Sequence, residues 1–169
     1  MSSAATRDAA PRIRPLGQAG DLGWVVMAHG ELYRNEFGWD STFEALVVQI
    51  VAAYAAGHDA ERECAWIAEL EGRRVGCIFC VAGTDGSAAQ LRILLVHPDA
   101  RGHGLGQRLL DTALAFAEAA GYERVRLWTN DPLHAARRLY LRRGFTLTHE
   151  EPHHSFGVEL IGQTYELDL

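Results

Sequence analysis

The sequence predicts a single domain of the mixed α/β class, and two observations support this. Apolar strand-like runs alternate with helical stretches in the order β-α-α-β-β-β-α-β-α-β-β. A glycine-rich turn over residues 101–106 joins one apolar run to a helical stretch. The length of 169 residues suits one domain. We therefore expect a flexible tail over residues 1–11 and one domain over residues 12–169.

The first half of the chain predicts a short strand, two helices and a strand hairpin. Asp21 is a suitable cap for the first helix, and residues 41–44 have the capping-box pattern that opens the second. The turn over residues 71–74 allows the two following strands to pair. In order, these elements are expected over residues 13–16, 22–36, 41–56, 64–70 and 75–82.

The second half predicts four strands and two helices. Apolar residues recur with a helical period over residues 109–117, and Gly121 follows as a C-terminal cap. Pro132 is expected to open the last helix, and Gly144 to follow its end. In order, these elements are expected over residues 90–96, 104–120, 124–129, 132–142, 145–150 and 156–167.

Composition and charge exclude several classes of protein. The net charge of −6 argues against a nucleic-acid binder, and all 16 basic residues are Arg. No apolar run is long enough to span a membrane, and the first residues lack the apolar core of a secretory signal, so we expect a cytoplasmic protein. Cys77 and Cys80 resemble a CxxC motif, but on a strand they point to opposite faces and are expected to stay reduced.

The glycine-rich turn Arg101-Gly102-His103-Gly104-Leu105-Gly106 predicts a phosphate-binding loop. A turn that enters a helix presents free backbone N–H groups, and the helix dipole favours negative charge there. The third glycine falls too early for a dinucleotide-binding fingerprint. Gln107 and Arg108 follow where a Walker phosphate loop needs Lys and Ser or Thr, so both nucleotide interpretations are disfavoured.

The turn resembles the Arg/Gln-x-x-Gly-x-Gly/Ala signature of the GCN5-related N-acetyltransferase (GNAT) family. Residues 127–129, followed by Tyr140-x-x-x-Gly144-Phe145, are similar to the late strand and helix of that family. The resemblance covers residues 12–169 and implies a single mixed, mostly antiparallel sheet flanked by helices. Residues 127–131 and 154–157 also resemble the acetyltransferase half of regulators fused to a MarR-like domain.

The resemblance implies that acetyl-CoA is the co-substrate. Backbone N–H groups of the turn would bind the pyrophosphate, and the preceding strand would splay from its neighbour and bind the pantetheine arm. The family often has Asn where this chain has Leu133, so Asn130 or Thr129 is expected to replace it. The expected acetyl-CoA contacts are Leu94, Leu95, Val96, Arg101, Gly102, His103, Gly104, Leu105, Gly106 and Asn130.

The same resemblance implies an N-acetyltransferase in which an amine of a small molecule or peptide attacks acetyl-CoA directly. Tyr140 matches the position that protonates the departing sulfur, and a backbone N–H near Val96 would polarise the carbonyl. The strand before the turn carries no acid, so the general base stays open. Water and six side chains are candidates for that role, namely Glu31, Glu36, Glu150, Glu151, His153 and His154.

The acceptor is expected to bind between the first two helices and the last hairpin, where acids and aromatic residues would suit a cationic amine. Asp40 and the His-rich residues 149–154 belong to this region. The His-rich residues are expected in a loop, where His149, His153 and Glu150 are suitable ligand types but lack Cys partners at zinc-finger spacing, so no metal is expected. A homodimer is compatible with this class, and a non-catalytic acyl-CoA sensor is the alternative function. The expected acceptor contacts are Glu31, Tyr33, Phe37, Trp39, Arg92, Glu150 and His153.

Overall fold

The computed structural model describes residues 10–169, so most of the expected tail lies outside the described residues. A short 3-10 turn over residues 98–100 precedes the third helix. The helices and strands follow one another as β1 (Arg12–Pro15), α1 (Asp21–Phe37), α2 (Ser41–Gly57), β2 (Cys64–Leu70), β3 (Arg73–Ala82), β4 (Ala88–Val96), α3 (Leu105–Ala119), β5 (Arg124–Asn130), α4 (His134–Arg143), β6 (Thr146–Ser155) and β7 (Val158–Asp168).

The seven strands form one sheet in the order β1-β2-β3-β4-β5-β7-β6. Every neighbouring pair is antiparallel except β4 and β5, which are parallel and are joined through α3. The predicted fold class and order of elements are therefore confirmed. No helix within residues 10–169 has the length and apolar character that crossing a membrane requires.

The two faces of the sheet are covered by different helices. Val25 of α1 and Val47 of α2 pack in one cluster, whereas Leu109 of α3 and Leu139 of α4 pack in the other. Neighbouring residues of a strand alternate between these clusters. The prediction that the CxxC pair points to opposite faces is confirmed, because Cys77 belongs to the cluster under α1 and α2 and Cys80 to the cluster under α3 and α4.

Two predicted helix caps are wrong. Asp21 is the first residue of α1 rather than its cap, and its carboxylate accepts hydrogen bonds from the backbone N–H groups of Gly17 and Gln18. The cap of α2 is Asp40, which accepts from the backbone N–H of Thr42, so the capping box over residues 41–44 does not form. Asp21 does not cap α1 because its carboxylate pairs with arginines of the sheet. The capping box of α2 does not form because the Asp40 carboxylate is better placed to accept from the first turn.

The last hairpin is longer than the sequence predicts. The His-rich residues 149–154 lie inside β6 and not in a loop, and the strands turn at Phe156 and Gly157. Both turn residues have positive φ, of 58° and 80°, which two-residue hairpins require. Pro152 lies in the edge strand β6, where its missing N–H is tolerated. The last helix begins at His134, two residues after the predicted Pro132.

Buried ion pairs fasten the start of α1 to the sheet. The Asp21 carboxylate is fully buried and bonds Arg14 of β1 at 2.7 Å and Arg74 of β3 at 2.8 Å. Arg14 also bonds Glu69 of β2 at 2.8 Å. The hydrogen bond from Arg14 is the largest cause that holds the pKa of Asp21 far below its usual range. This network connects three strands to the first helix.

Asp21→Asn is expected to lower the free energy of unfolding by about 3–5 kcal/mol, because it leaves the buried guanidinium of Arg14 and the partly exposed one of Arg74 without their carboxylate. The folded pKa of Asp21 is depressed, so its contribution is present above the unfolded pKa of about 3.9 and is lost as the pH falls further. Urea unfolding at pH 7 measures the loss.

Asp111→Asn is the matched control, because Asp111 forms an exposed pair with Arg143 at 2.7 Å. Exposed pairs contribute about 0–1 kcal/mol, so this variant is expected to unfold close to the wild type. Equal losses for the two variants would contradict a special role for the buried network.

Candidate active site

The glycine-rich turn is an open loop that enters α3. Gly102 and Gly104 have positive φ, of 83° and 68°, and a Cβ built on either would meet nothing within 4 Å. Arg108 is the first residue of the helix whose N–H bonds a carbonyl, that of Gly104. The N–H groups just before it have no helical partner. The loop therefore offers backbone donors and empty space to an anion.

Arg101 holds this loop against its surroundings. Its Nε donates to the Val96 carbonyl at 3.2 Å, and its guanidinium pairs with Glu36 of α1 at 2.7 Å. These bonds join the loop to the end of β4 and to the first helix, so Arg101 restricts the conformation of the loop. Glu36, a candidate base, is engaged in this pair and does not line the cavity described below.

Strands β4 and β5 separate beside this loop. Their parallel pairing ends at Leu91 and Leu127, although β4 continues to Val96. A bulge against β3 begins there, and Ile93 adopts a positive φ of 44°. Because β5 no longer pairs with β4, backbone groups after Leu91 lie open on that side. This is the splayed geometry that the predicted pantetheine contacts at Leu94, Leu95 and Val96 need.

A cavity of about 250 Å³ lies at this separation and reaches the first two helices. It brings together predicted residues from three separate stretches of the chain, residues 29–50, 90–94 and 127–140. The residues that line it are His29, Tyr33, Trp39, Phe43, Leu46, Ile50, Gln90, Leu91, Arg92, Ile93, Leu94, Leu127, Trp128, Thr129, Asn130, Leu133, Ala136 and Tyr140.

Tyr140 reaches this cavity from α4. Its ring packs beside Phe145 at 5.8 Å and Tyr165 at 6.3 Å between centroids. Within the described chain, its hydroxyl makes no hydrogen bond, so the O–H is free for a ligand. Burial, with a smaller effect from Tyr33, raises the pKa of Tyr140 above its usual value. The group is therefore a protonated donor at neutral pH.

Asn130 lines the cavity and is held by a short polar chain. Its side-chain oxygen lies 2.8 Å from Nε2 of His153, and Nδ1 of the same ring lies 2.9 Å from the Ser155 hydroxyl. The His153 ring also lies 5.5 Å from the Trp128 ring. His153 thus orients Asn130 from behind and does not itself line the cavity.

The predicted aromatic acceptor contacts form one packed group. Tyr33 lies 5.5 Å from Phe37 and 5.2 Å from Trp39 between ring centroids, and Trp39 lies 4.9 Å from Phe156. Tyr33 and Trp39 line the cavity, whereas Phe37 supports them from outside its lining. The group therefore serves the core and the cavity wall together.

The predicted acids lie away from the cavity lining. Glu31 is exposed on α1, and Glu150 on β6 accepts a hydrogen bond from Gln163 at 2.6 Å. Asp40, as the cap of α2, is also outside the lining. Among residues 10–169, no three His, Cys, Asp or Glu side chains gather as a metal site would require.

His29 is a cavity residue that the sequence reasoning missed. Its Nδ1 lies 2.7 Å from the Val25 carbonyl, which can only accept, so Nδ1 carries the proton of the neutral ring. Its Nε2 is buried without a partner in the described chain. Burial lowers the pKa of His29 to about 4, against the opposing effect of the Val25 and Ile93 carbonyls. The one sequence feature that could have indicated this residue is the position of a histidine on the buried face of α1.

The arrangement defines a class of protein in which a glycine-rich loop opens a helix beside a split pair of parallel strands, and a tyrosine lines the cavity at the split. Residues 28–145 match the Acetyltransferase (GNAT) family, which is more than half of the chain. The chain therefore belongs to the GNAT family.

Similar proteins agree with this assignment. The chain is 35% identical over 108 residues to N-acetyltransferase family 8 member 3 of Rattus norvegicus, an alignment that covers 62% of this chain and 46% of that protein. The chain thus spans less than half of that relative's length. Its fold matches the yncA structure of Salmonella typhimurium, described with its cofactor acetyl-CoA (TM-score 0.74, 20% identity, 95% of each chain). It also matches a GNAT family acetyltransferase of Elizabethkingia anophelis with acetyl-CoA bound (TM-score 0.66, 15% identity, 94% and 98%).

Gly104→Glu is expected to abolish the thermal stabilisation by acetyl-CoA, because it places a carboxylate where the loop is predicted to bind the pyrophosphate. A ligand at 100 times its Kd stabilises a protein by about 2.7 kcal/mol, which a thermal melt detects readily.

The matched control is Gly86→Glu, in a turn outside the cavity. Gly86 has a similar φ of 71° and open space around its Cβ position, so both variants carry the same backbone strain and charge. The control is expected to keep its response to acetyl-CoA. A full response from Gly104→Glu would place the phosphate site elsewhere.

Proposed function

We propose that this protein transfers an acetyl group from acetyl-CoA to a primary amine of a small molecule or peptide, by direct attack in a ternary complex. One observation carries the proposal: the free hydroxyl of Tyr140 faces the same cavity as the unpaired part of β4. The presence of acetyl-CoA in the Salmonella typhimurium structure and the N-acetyltransferase name of the rat relative support it.

The chain has the groups to bind the donor. N–H groups of residues 102–106 would receive the pyrophosphate at the positive end of α3. Open backbone groups of residues 94–96 would bond the pantetheine arm as a short added strand. The Asn130 amide, held by His153, would supply the side-chain contact that Leu133 cannot. A Cβ at Gly106 would meet Leu139 at 3.5 Å, so the helix start packs close to α4.

Acetyl-CoA supplies a thioester, and as the amine nitrogen bonds the acyl carbon the C–S bond breaks, the amine loses a proton and the sulfur gains one. Tyr140 is placed to donate that proton, because its hydroxyl is free and stays protonated at neutral pH. The backbone beyond the bulge at Ile93 offers N–H donors to the carbonyl oxygen.

The described residues favour loss of the ammonium proton to water before the attack. No Asp or Glu lines the cavity. His29 presents a free Nε2, but a ring with a pKa of about 4 cannot hold a proton taken from an alkylammonium ion, whose pKa is about 10. His29 is therefore part of the buried wall of the cavity and not its general base.

A non-catalytic acyl-CoA sensor is the second candidate, and the lack of a carboxylate base in the cavity lining favours it. Acetyl-CoA binding without transfer to any amine would select the sensor. The resemblance to MarR-fused regulators, a cytoplasmic location, a single domain over residues 12–169 and a homodimer stay predictions. Size-exclusion chromatography with light scattering tests the last of these.

Tyr140→Phe is expected to lower kcat by about 100-fold with little change in the Kd of acetyl-CoA, because general acid catalysis contributes at least that factor. The hydroxyl has no partner in the described chain, so the variant keeps its packing. Steady-state rates and calorimetric titration with acetyl-CoA make the measurement.

Tyr122→Phe is the control, because the Tyr122 hydroxyl donates to the Arg62 carbonyl at 2.9 Å outside the cavity. Its kcat is expected to match the wild type. An unchanged kcat in Tyr140→Phe, in a burst experiment that isolates the chemical step, would remove Tyr140 from the mechanism.

The pH profile of kcat/KM is expected to rise by about tenfold per unit from pH 6 to 8 with an alkylamine acceptor, because only the neutral amine attacks. The pKa of Tyr140 is raised above its usual value of about 10, so the profile has no descending limb below pH 10. A descending limb near pH 8 would contradict a protonated Tyr140 as the acid.

A further inference from the structure

The cavity has a charge that the sequence did not predict. Arg92 is the sole residue among its described lining that is ionised at neutral pH, because His29 is neutral and no Asp or Glu is present. The expectation of an acid-lined pocket for a cationic amine is therefore wrong for this cavity, since Glu31 and Glu150 lie outside it.

Arg92 has no partner of its own. Its side chain is half-buried, and within residues 10–169 its guanidinium makes no hydrogen bond and no ion pair, whereas Arg14, Arg74 and Arg126 all pair with carboxylates. Burial lowers the pKa of Arg92, and an Arg side chain remains charged in spite of that. A partly desolvated cation without a counterion is costly in a folded protein, which indicates that a ligand supplies the missing anion.

Arg92 lies on the side of the sheet opposite the phosphate loop. Its partner in β3 is Phe79, and paired residues share a face. Phe79 belongs to the core cluster under α1 and α2, whereas the start of α3 packs in the other cluster. The guanidinium is thus on the face of the acceptor region, away from the loop that would bind pyrophosphate.

We propose that Arg92 binds the carboxylate of the acceptor, and that the acceptor is a free amino acid. This inference rests on the proposed acetyl transfer and names its substrate class. A guanidinium grips a carboxylate through two parallel hydrogen bonds, which fixes the orientation of a small molecule. Tyr140 lines the same small cavity, so a carboxylate held by Arg92 and an amine that attacks the thioester beside Tyr140 belong to one small molecule. A cavity of about 250 Å³ suits a ligand of this size.

The test compares amino acids with matched amines that lack the carboxylate. Wild-type protein with acetyl-CoA is assayed against leucine, leucinamide and isopentylamine, then against the other proteinogenic amino acids with their amides, and against spermidine. Amino acids are expected to exceed their amides by about 100-fold in kcat/KM, the effect of one charge-assisted hydrogen-bonded pair. This comparison needs no variant, so it holds even where a substitution disturbs folding.

Arg92→Gln is expected to raise KM for the preferred amino acid by about 100-fold and to bring it level with the amide. The Kd of acetyl-CoA is expected to stay at the wild-type value. Arg126→Gln is the control, because Arg126 pairs with Glu166 at 2.7 Å and does not line the cavity. Its KM for amino acids is expected to be unchanged.

Two results would overturn the inference and leave acetyl transfer standing. One is wild-type acetylation of amides or spermidine as fast as amino acids. The other is an Arg92→Gln variant that loses acetyl-CoA affinity with its amino-acid preference intact, which would assign Arg92 to the donor. Acetyl-CoA binding with no amine acetylated would instead overturn the proposed function, and the inference with it.

Discussion

The separation of β4 from β5 after Leu91 is the constraint on which the rest of this molecule depends. Two parallel strands that stay paired would close the sheet and leave no cavity between its two helical layers. The bulge at Ile93 turns β4 away while β5 continues alongside β7. The gap exposes backbone groups of β4, and Tyr140 and Arg92 line the cavity that it opens from opposite faces of the sheet.

Much of the fold could be predicted from this sequence, because its long periodic segments and its two motifs, the glycine-rich turn and the segment from Tyr140 to Phe145, indicate the same order of elements. The errors fell where tertiary partners replaced local ones. Asp21 has the composition of a cap but is drawn into ion pairs with Arg14 and Arg74, which are distant in sequence. The His-rich stretch was expected to be a loop between the last two strands. It is polar and contains Pro152. An edge strand exposed on both faces has that same composition, and no local pattern separates the two.

The parts of the site that lie within short sequence motifs could be predicted. The parts that form only when distant segments fold together could not. Gly104 and Tyr140 belong to contiguous motifs, so their neighbourhood follows from the chain itself. Glu31 and Glu150 have suitable chemistry, but Glu31 lies on the exposed face of α1 and Glu150 on β6 bonds Gln163, so neither lines the cavity. His29 lies on the apolar face of α1, where a histidine usually serves packing, and nothing in the sequence shows that its second nitrogen is left without a partner.

Pro152 in β6 has a consequence for how copies of this protein meet. The two margins of the sheet are β6 and the four-residue β1, and an unprotected margin recruits a strand from another molecule. Proline lacks the donor that such recruitment requires, and the charged neighbours on β6 oppose it further. The half-exposed side chains of Trp128 and Ile161 offer a separate apolar surface for self-association. A sheet ended in this way resists growth into fibrils when the protein is concentrated or partly unfolded.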